Sequence, residues 1–325
     1  MPVAFSELFR VLASFSPPRA SLRDAPWEEY VDWAIANGLA PLAAYNLEYR
    51  LGGAGAPEWA RDRLLSVYQG SVNDAVMKLV SFKRAVDDLE GRRILLLGAA
   101  SFAETLYPHV AFRPIPEIRV RVDSADLEPF VRYLGQHHYK PLPDTRGLEG
   151  ADRAVSDEHT PILLYTQLLG AAHEQEERKL LDRASPVKVY GPSVSRPGLE
   201  DALLLVCLEQ ARAGFDVPMV SFIDLRELVL GSPSTAGAYA RPLEAAVVRE
   251  RAAAWRLEHA VYSALSILER LFPETAEVVA KARPEVRSPI RAILERAVVD
   301  PIAKLGRIRV TRGAGRLRRL LAGGR

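Results

Sequence analysis

Apolar residues recur at helical spacing through the first ninety positions of the chain. The clearest stripe covers residues 65–89, where apolar side chains step by three, four or seven positions. Pro57 before this stripe and Gly91 after it suit the entry and exit of one long helix. A shorter stripe at 27–34 predicts another helix. The N-terminal part of the chain is therefore predicted to be helical.

The pattern changes at Arg92, where short apolar runs and period-two alternation replace the helical spacing. Strands are predicted at 94–97, 117–122, 162–165 and 187–190. Helices are predicted at 102–107 and after Asp123 or Ser124 up to Gly135, with 141–160 polar and irregular. From Leu199 onward the spacing is helical again, and it predicts helices at 199–213, 219–230, 239–253, 255–271 and 287–299.

These elements predict an α/β (α+β) protein with a mixed sheet between two large helical regions. The predicted domains are an N-terminal helical region at 1–91, an α/β core at 92–195, a C-terminal helical region at 196–303 and a flexible basic tail at 304–325. A composition of 48% hydrophobic and 26% charged residues agrees with a folded globular protein.

The formal net charge of +2 hides an uneven distribution of charge. Eight of the 43 Lys and Arg residues lie in 304–325, which contains no acid, so residues 1–303 carry 35 basic against 41 acidic groups, or −6. Charge asymmetry of this kind can mark a contact surface. The alternatives for the tail are a solubilising role and docking on an acidic protein partner or an anionic surface. Nucleic acid is disfavoured, because the tail has no aromatic side chain to stack on bases.

The single cysteine, Cys207, lies in an apolar run and is predicted to be a buried hydrophobe rather than a nucleophile. No apolar run is long enough for a transmembrane segment, and the N-terminus lacks the pattern of a secretory signal. A cytoplasmic location is the expectation.

Four motifs in the α/β region resemble an uncharacterised nucleotidyltransferase family. That family has a strand ending in Lys-Gly, a helix ending near Leu-Tyr-Pro, then Arg-Pro and a strand Asp-Ile-Asp-Leu-Leu-Val. The chain reads Leu97-Gly98, then Leu-Tyr-Pro at 106–108, Arg113-Pro114, and Glu-Ile-Arg-Val-Arg-Val at 117–122. A later family strand, Ile-Glu-Ile-His-Trp, matches 162–166, and the resemblance spans about 25–235.

The resemblance implies the minimal nucleotidyltransferase fold. In active members of this fold, two carboxylates two residues apart on a strand and a third on a neighbouring strand hold two divalent ions. The ions stabilise the attacking and leaving oxygens of nucleotidyl transfer.

This chain departs from the implied pattern wherever the chemistry needs charge. The first carboxylate is present as Glu117, but Arg119 replaces the second and Leu163 stands at the third. Leu97 stands where the family has the lysine that precedes the glycine. A guanidinium two residues from Glu117 would repel a metal cation, so no metal site is expected.

Two functions follow from this comparison. The first is a catalytically degenerate relative that binds or scaffolds and needs no cofactor; the alternative is an active, magnesium-dependent nucleotidyltransferase with an unknown acceptor. Glu117 is the residual catalytic candidate. A nucleotide or phosphate ligand is the expected small-molecule partner, and its candidate contacts are Gly98, Ser101, Arg113, Arg119 and Arg121. The simpler role for Arg119 is an ion pair with Glu117 on the same strand face.

Overall fold

A computed structural model describes residues 4–87, 92–142, 151–231 and 238–287, with 289 and 291. The described residues form two compact units. The first contains the residues up to Gln69 together with those from Leu199 onward, and the second runs from Gly70 to Gly198. The predicted tail at 304–325 lies outside the described residues, as does nearly all of the helix predicted at 287–299. No helix in the described ranges is long and apolar enough to cross a membrane.

Helices build the first unit. Along the chain they are α1 Phe5–Leu12, α2 Trp27–Ala36, α3 Ala40–Tyr45, the beginning of α4 Glu58–Val86, α8 Leu199–Arg212, α9 Val220–Leu230, α10 Ala245–Ala254, α11 Glu258–Leu271 and α12 Ala276–Ala282. A π-helical turn, Asn46–Arg50, follows α3. The predicted start at 239 is wrong, since α10 begins only at Ala245, after Pro242.

Buried polar side chains join the N-terminal and C-terminal helices of this unit. The Asn37 amide donates to the Trp33 carbonyl at 2.9 Å and accepts a hydrogen bond from the Met219 backbone N–H at 3.0 Å. The Phe9 ring packs against Trp33 and Phe272, with centroids 5.3 and 5.4 Å apart.

Cys207 is fully buried, as the apolar run predicts, and burial raises the pKa of its thiol.

The second unit is a mixed sheet with helices. Its elements are the rest of α4, β1 Ile94–Leu97, α5 Gly98–Thr105, β2 Ile118–Arg121, α6 Leu127–Gln136, β3 Lys140–Pro141, β4 Arg153–Ser156, β5 Pro161–Tyr165, α7 Glu174–Asp182, β6 Ser185–Pro186 and β7 Val194–Arg196. In the described part of the chain the strand order is β3-β4-β5-β2-β1-β7-β6. The α/β class with helical ends is confirmed.

The core of this unit lies between the sheet and its helices. One face of β2 contributes Ile118 and Val120, both fully buried, and α4 contributes Phe82, whose ring centroid lies 5.2 Å from that of Tyr190.

The strand predicted at 187–190 is wrong. These residues include a 3-10 turn, Lys188–Tyr190, because Gly191 adopts a φ of 79° and Pro192 follows.

The carboxyl group of Glu104 on α5 is partly buried beside Tyr190, whose hydroxyl donates to it at 3.3 Å. Burial raises the pKa of Glu104, and the hydrogen bond from Tyr190 offsets only part of that effect. The protonated carboxyl of Glu104 therefore contributes to the free energy of unfolding at acidic pH. This contribution is lost as the pH rises through the raised pKa of the folded state.

Replacing Glu104 with Gln should therefore stabilise the protein near neutral pH. The urea midpoint of E104Q should exceed that of the wild type at about pH 7 and match it at about pH 4, where the carboxyl is protonated. Glu250→Gln, at an exposed position of α10, is the matched control and should show no such pH-dependent gain. Equal midpoints for E104Q and the wild type at neutral pH would contradict this prediction.

Candidate functional site

The sheet register aligns three positions that the sequence comparison singled out. Leu97 in β1 pairs with Arg119 in antiparallel β2, and Arg119 pairs with Leu163 in parallel β5. Residues paired in register place their side chains on the same face of a sheet. Leu97, Arg119 and Leu163 therefore form one row across three adjacent strands, and Glu117 lies two residues before Arg119 on that face.

The positive charge of Arg119 in this row is neutralised by Glu117 on the same strand face. Arg119 Nε donates to Glu117 Oε1 at 2.7 Å, and the two side chains are 21% and 20% exposed. The ion pair that the strand spacing predicts is present. Leu97 and Leu163 are 4% and 2% exposed, so the positions beside the pair are apolar and closed to water.

This arrangement does not fit a pair of magnesium ions. Magnesium needs several hard oxygen ligands, and the carboxylate of Glu117 already accepts a guanidinium bond. Leu163 supplies no ligand atom at the third position. Within the described ranges, no group of three or more His, Cys, Asp or Glu side chains is arranged to hold a metal ion.

The turn after β1 has the geometry that its glycine allows. Gly98 has a φ of 55°, in the left-handed region that favours glycine, and it opens the eight-residue helix α5. A Cβ built on Gly98 meets no atom within 4 Å, so the space beside the turn is open.

Ser101 lies one helical turn further along α5. It is 1% exposed, and its Oγ has no hydrogen-bond partner in the described structure. A hydroxyl that is buried in this way can contact a phosphate only after a local rearrangement. Arg113 lies in the loop before β2, where Nη1 donates to the carbonyl of Pro114 at 2.8 Å.

Arg121 makes different contacts from Arg119, although both side chains leave the same strand face. Its guanidinium pairs with Asp123 and lies 3.5 Å from Glu177 Oε1. Glu177 also accepts the backbone N–H groups of Leu168 and Leu169, at 2.9 and 3.3 Å. Arg121 and Glu177 thus join the end of β2 to the loop after β5.

Glu177 is only 4% exposed, although it stands among several acids at the start of α7. An acid among several acids at the start of a helix carries no local signal of burial. A polar cleft of about 460 Å³ lies beside this network at the carboxyl ends of β2 and β5. It is lined by Arg93, Arg121, Ser124, Thr166, Gln167 and Arg178 together with four carboxylates.

A comparison with protein families identifies the chain's relatives. The model of a family described as uncharacterised nucleotidyltransferase matches residues 23–273, which is most of the sequence. The chain belongs to this family.

The matched range of this uncharacterised nucleotidyltransferase family contains the Leu97–Arg119–Leu163 row, Glu117 and Gly98. The recognition made from the sequence motifs is confirmed. A search of curated proteins gives no match.

The two strand arginines should respond differently to substitution. Arg121→Met leaves the buried carboxylate of Glu177 without its cation, and loss of one partner of a buried pair typically costs about 3 kcal/mol or more. Arg119→Met removes a partly exposed pair and should cost less than about 1 kcal/mol. Urea denaturation of both variants measures the difference. Equal losses would contradict a structural role for Arg121.

Proposed function

We propose that this member of the nucleotidyltransferase family is catalytically degenerate and acts by binding or scaffolding. The observation that carries the proposal is the ion pair between Glu117 and Arg119, at the place where the resemblance puts two metal-binding carboxylates. A buried Leu163 opposite Arg119 removes the third carboxylate.

Electrostatics supports the loss of metal chemistry. A second carboxylate in place of Arg119 would attract a divalent cation, whereas a guanidinium adds a positive charge at the same point. The ion pair with Arg119 leaves Glu117 a poor ligand for a metal ion.

The same substitution suits direct binding of a phosphate. A guanidinium offers a planar pair of N–H donors that match phosphate oxygens without a bridging metal. Arg119 and Arg113 are the proposed phosphate contacts, and the open left-handed turn at Gly98 would let the backbone approach the ligand. Arg121 and Ser101 remain weaker candidates, because one is engaged with Glu177 and the other is buried.

Enzyme assays and calorimetry on the full chain test this proposal together. Each nucleoside triphosphate with Mg²⁺ or Mn²⁺ should give no pyrophosphate above the blank. ATP should bind with or without Mg²⁺, and Arg119→Met should weaken that binding about tenfold or more through loss of a charge-assisted hydrogen bond. Arg132→Met, at an exposed position of α6, is the control.

Metal-dependent pyrophosphate release would overturn the proposal and favour the active alternative, in which Glu117 works with magnesium. Absence of heat from ATP in both conditions would reject nucleotide binding and leave only a scaffolding role. ATP binding that requires Mg²⁺ would contradict direct contact by arginine.

The basic segment 304–325 is proposed to dock on an acidic protein partner or an anionic surface. Deletion of 304–325 should abolish binding to vesicles rich in anionic phospholipid or to an acidic protein such as prothymosin, and added salt should weaken the binding of the full chain. Vesicles of neutral phospholipid are the control. Binding that survives the deletion would contradict this role.

A further inference from the structure

The polar cleft lies where the connections from two neighbouring parallel strands, β2 and β5, part from one another. The chain leaves β2 through α6, whose Phe130 belongs to the same buried cluster as Val120 on one face of the sheet. The chain leaves β5 through α7, whose Glu177 lies beside Arg121, a side chain on the opposite face of β2. Connections that leave toward opposite faces open a crevice at the carboxyl ends of the strands, and α/β sheets commonly bind ligands there.

This cleft is separate from the glycine turn that we propose for phosphate binding. Strands β1 and β2 are antiparallel, so the end of β1 at Gly98 lies beside the start of β2. The cleft lies at the opposite end of both strands, where Arg93 precedes β1 and Ser124 follows β2. Neither Glu117 nor Arg119 lines it. Its volume of about 460 Å³ falls within the usual range for small-molecule sites, about 300–1,000 Å³.

The charged groups of the cleft already have partners within it. Three arginines and four carboxylates of the described residues line the cleft. The pairs are Arg121 with Asp123 and Glu177, Arg178 with Glu174, and Arg93 with Asp182. A charged ligand would have to compete with one of these pairs. A hydroxyl group can accept from a guanidinium and donate to a carboxylate at once, so it can bind while the pairs stay intact.

We infer that the polar cleft binds a neutral polyhydroxylated ligand of the size of a mono- or disaccharide. The Ser124 hydroxyl and the Gln167 amide supply further donors and acceptors. Thr166 Oγ1 donates to Asp152 at 2.8 Å and keeps its lone pairs for a ligand hydroxyl. An apolar ligand does not suit the cleft, because Leu181 is the one apolar side chain among its described lining residues.

Calorimetry of the full chain with glucose, galactose, mannose, N-acetylglucosamine and maltose tests this inference. At least one of these sugars should bind in the micromolar to millimolar range. Ser124→Trp should abolish the binding by filling the cleft, and Ala125→Trp is the matched control, since Ala125 is exposed in the same loop and does not line the cleft. Gln167→Leu should weaken the binding about tenfold through the loss of hydrogen bonds, whereas Gln136→Leu, at the exposed end of α6, should not.

Salt and charged probes test whether the ligand is neutral. About 0.5 M NaCl should leave the affinity for the sugar unchanged, because screening acts on charged ligands. Heat from glycine or inorganic phosphate that disappears in S124W would assign the cleft to a charged ligand and overturn the inference. Absence of heat from all five sugars, or sugar binding that S124W leaves unchanged, would also overturn it. ATP should bind S124W as it binds the wild type, so the result for the cleft is independent of nucleotide binding at Arg119.

Discussion

Strand β2 must satisfy two different environments, and the second unit depends on how it does so. Ile118 and Val120 point into the core and are fully buried, while Glu117, Arg119 and Arg121 alternate with them on the other face. A slip of one residue in the register would drive the charged set into the core. The alternation therefore fixes the pairing of β2 with β1 and β5, and it fixes Arg119 beside Leu97 and Leu163.

Ion pairing then decides what that second face can do. Arg119 and Arg121 each have a carboxylate partner. The charged face of β2 therefore has little net negative charge that could attract a metal ion. The two pairs serve different purposes, however. The pair at Glu117 is partly exposed and local, while the pair at Glu177 is buried and joins a strand end to a loop through two further backbone bonds. Arg119 is thus a candidate contact for a ligand, whereas Arg121 on the same strand has a structural role.

The sequence predicted those elements whose signal is local. Strands β1 and β5 lie in short apolar runs, and β2 alternates with period two, so their positions were predicted to within one residue. Short strands such as β6 and β7 are too brief to show a period. The strand predicted at 187–190 failed because alternating valines resemble a strand, while the backbone of Gly191 sets the turn. The importance of Leu97, Arg119 and Leu163 could be predicted from the family resemblance. The role of Glu177 could not be predicted, because it depends on a contact with Arg121 on a strand that is distant in the sequence.

The burial of Leu163 also limits how the site could change over evolutionary time. A carboxylate introduced at Leu163 alone would enter a position that is 2% exposed, with a guanidinium in register beside it but no metal to stabilise the charge. A carboxylate introduced at Arg119 alone would lie next to Glu117 and repel it. Each single substitution towards a three-carboxylate site therefore passes through a less stable protein. A path of successive point mutations from the present side chains to a three-carboxylate site would therefore begin with a loss of folding stability, whichever of the two positions changed first.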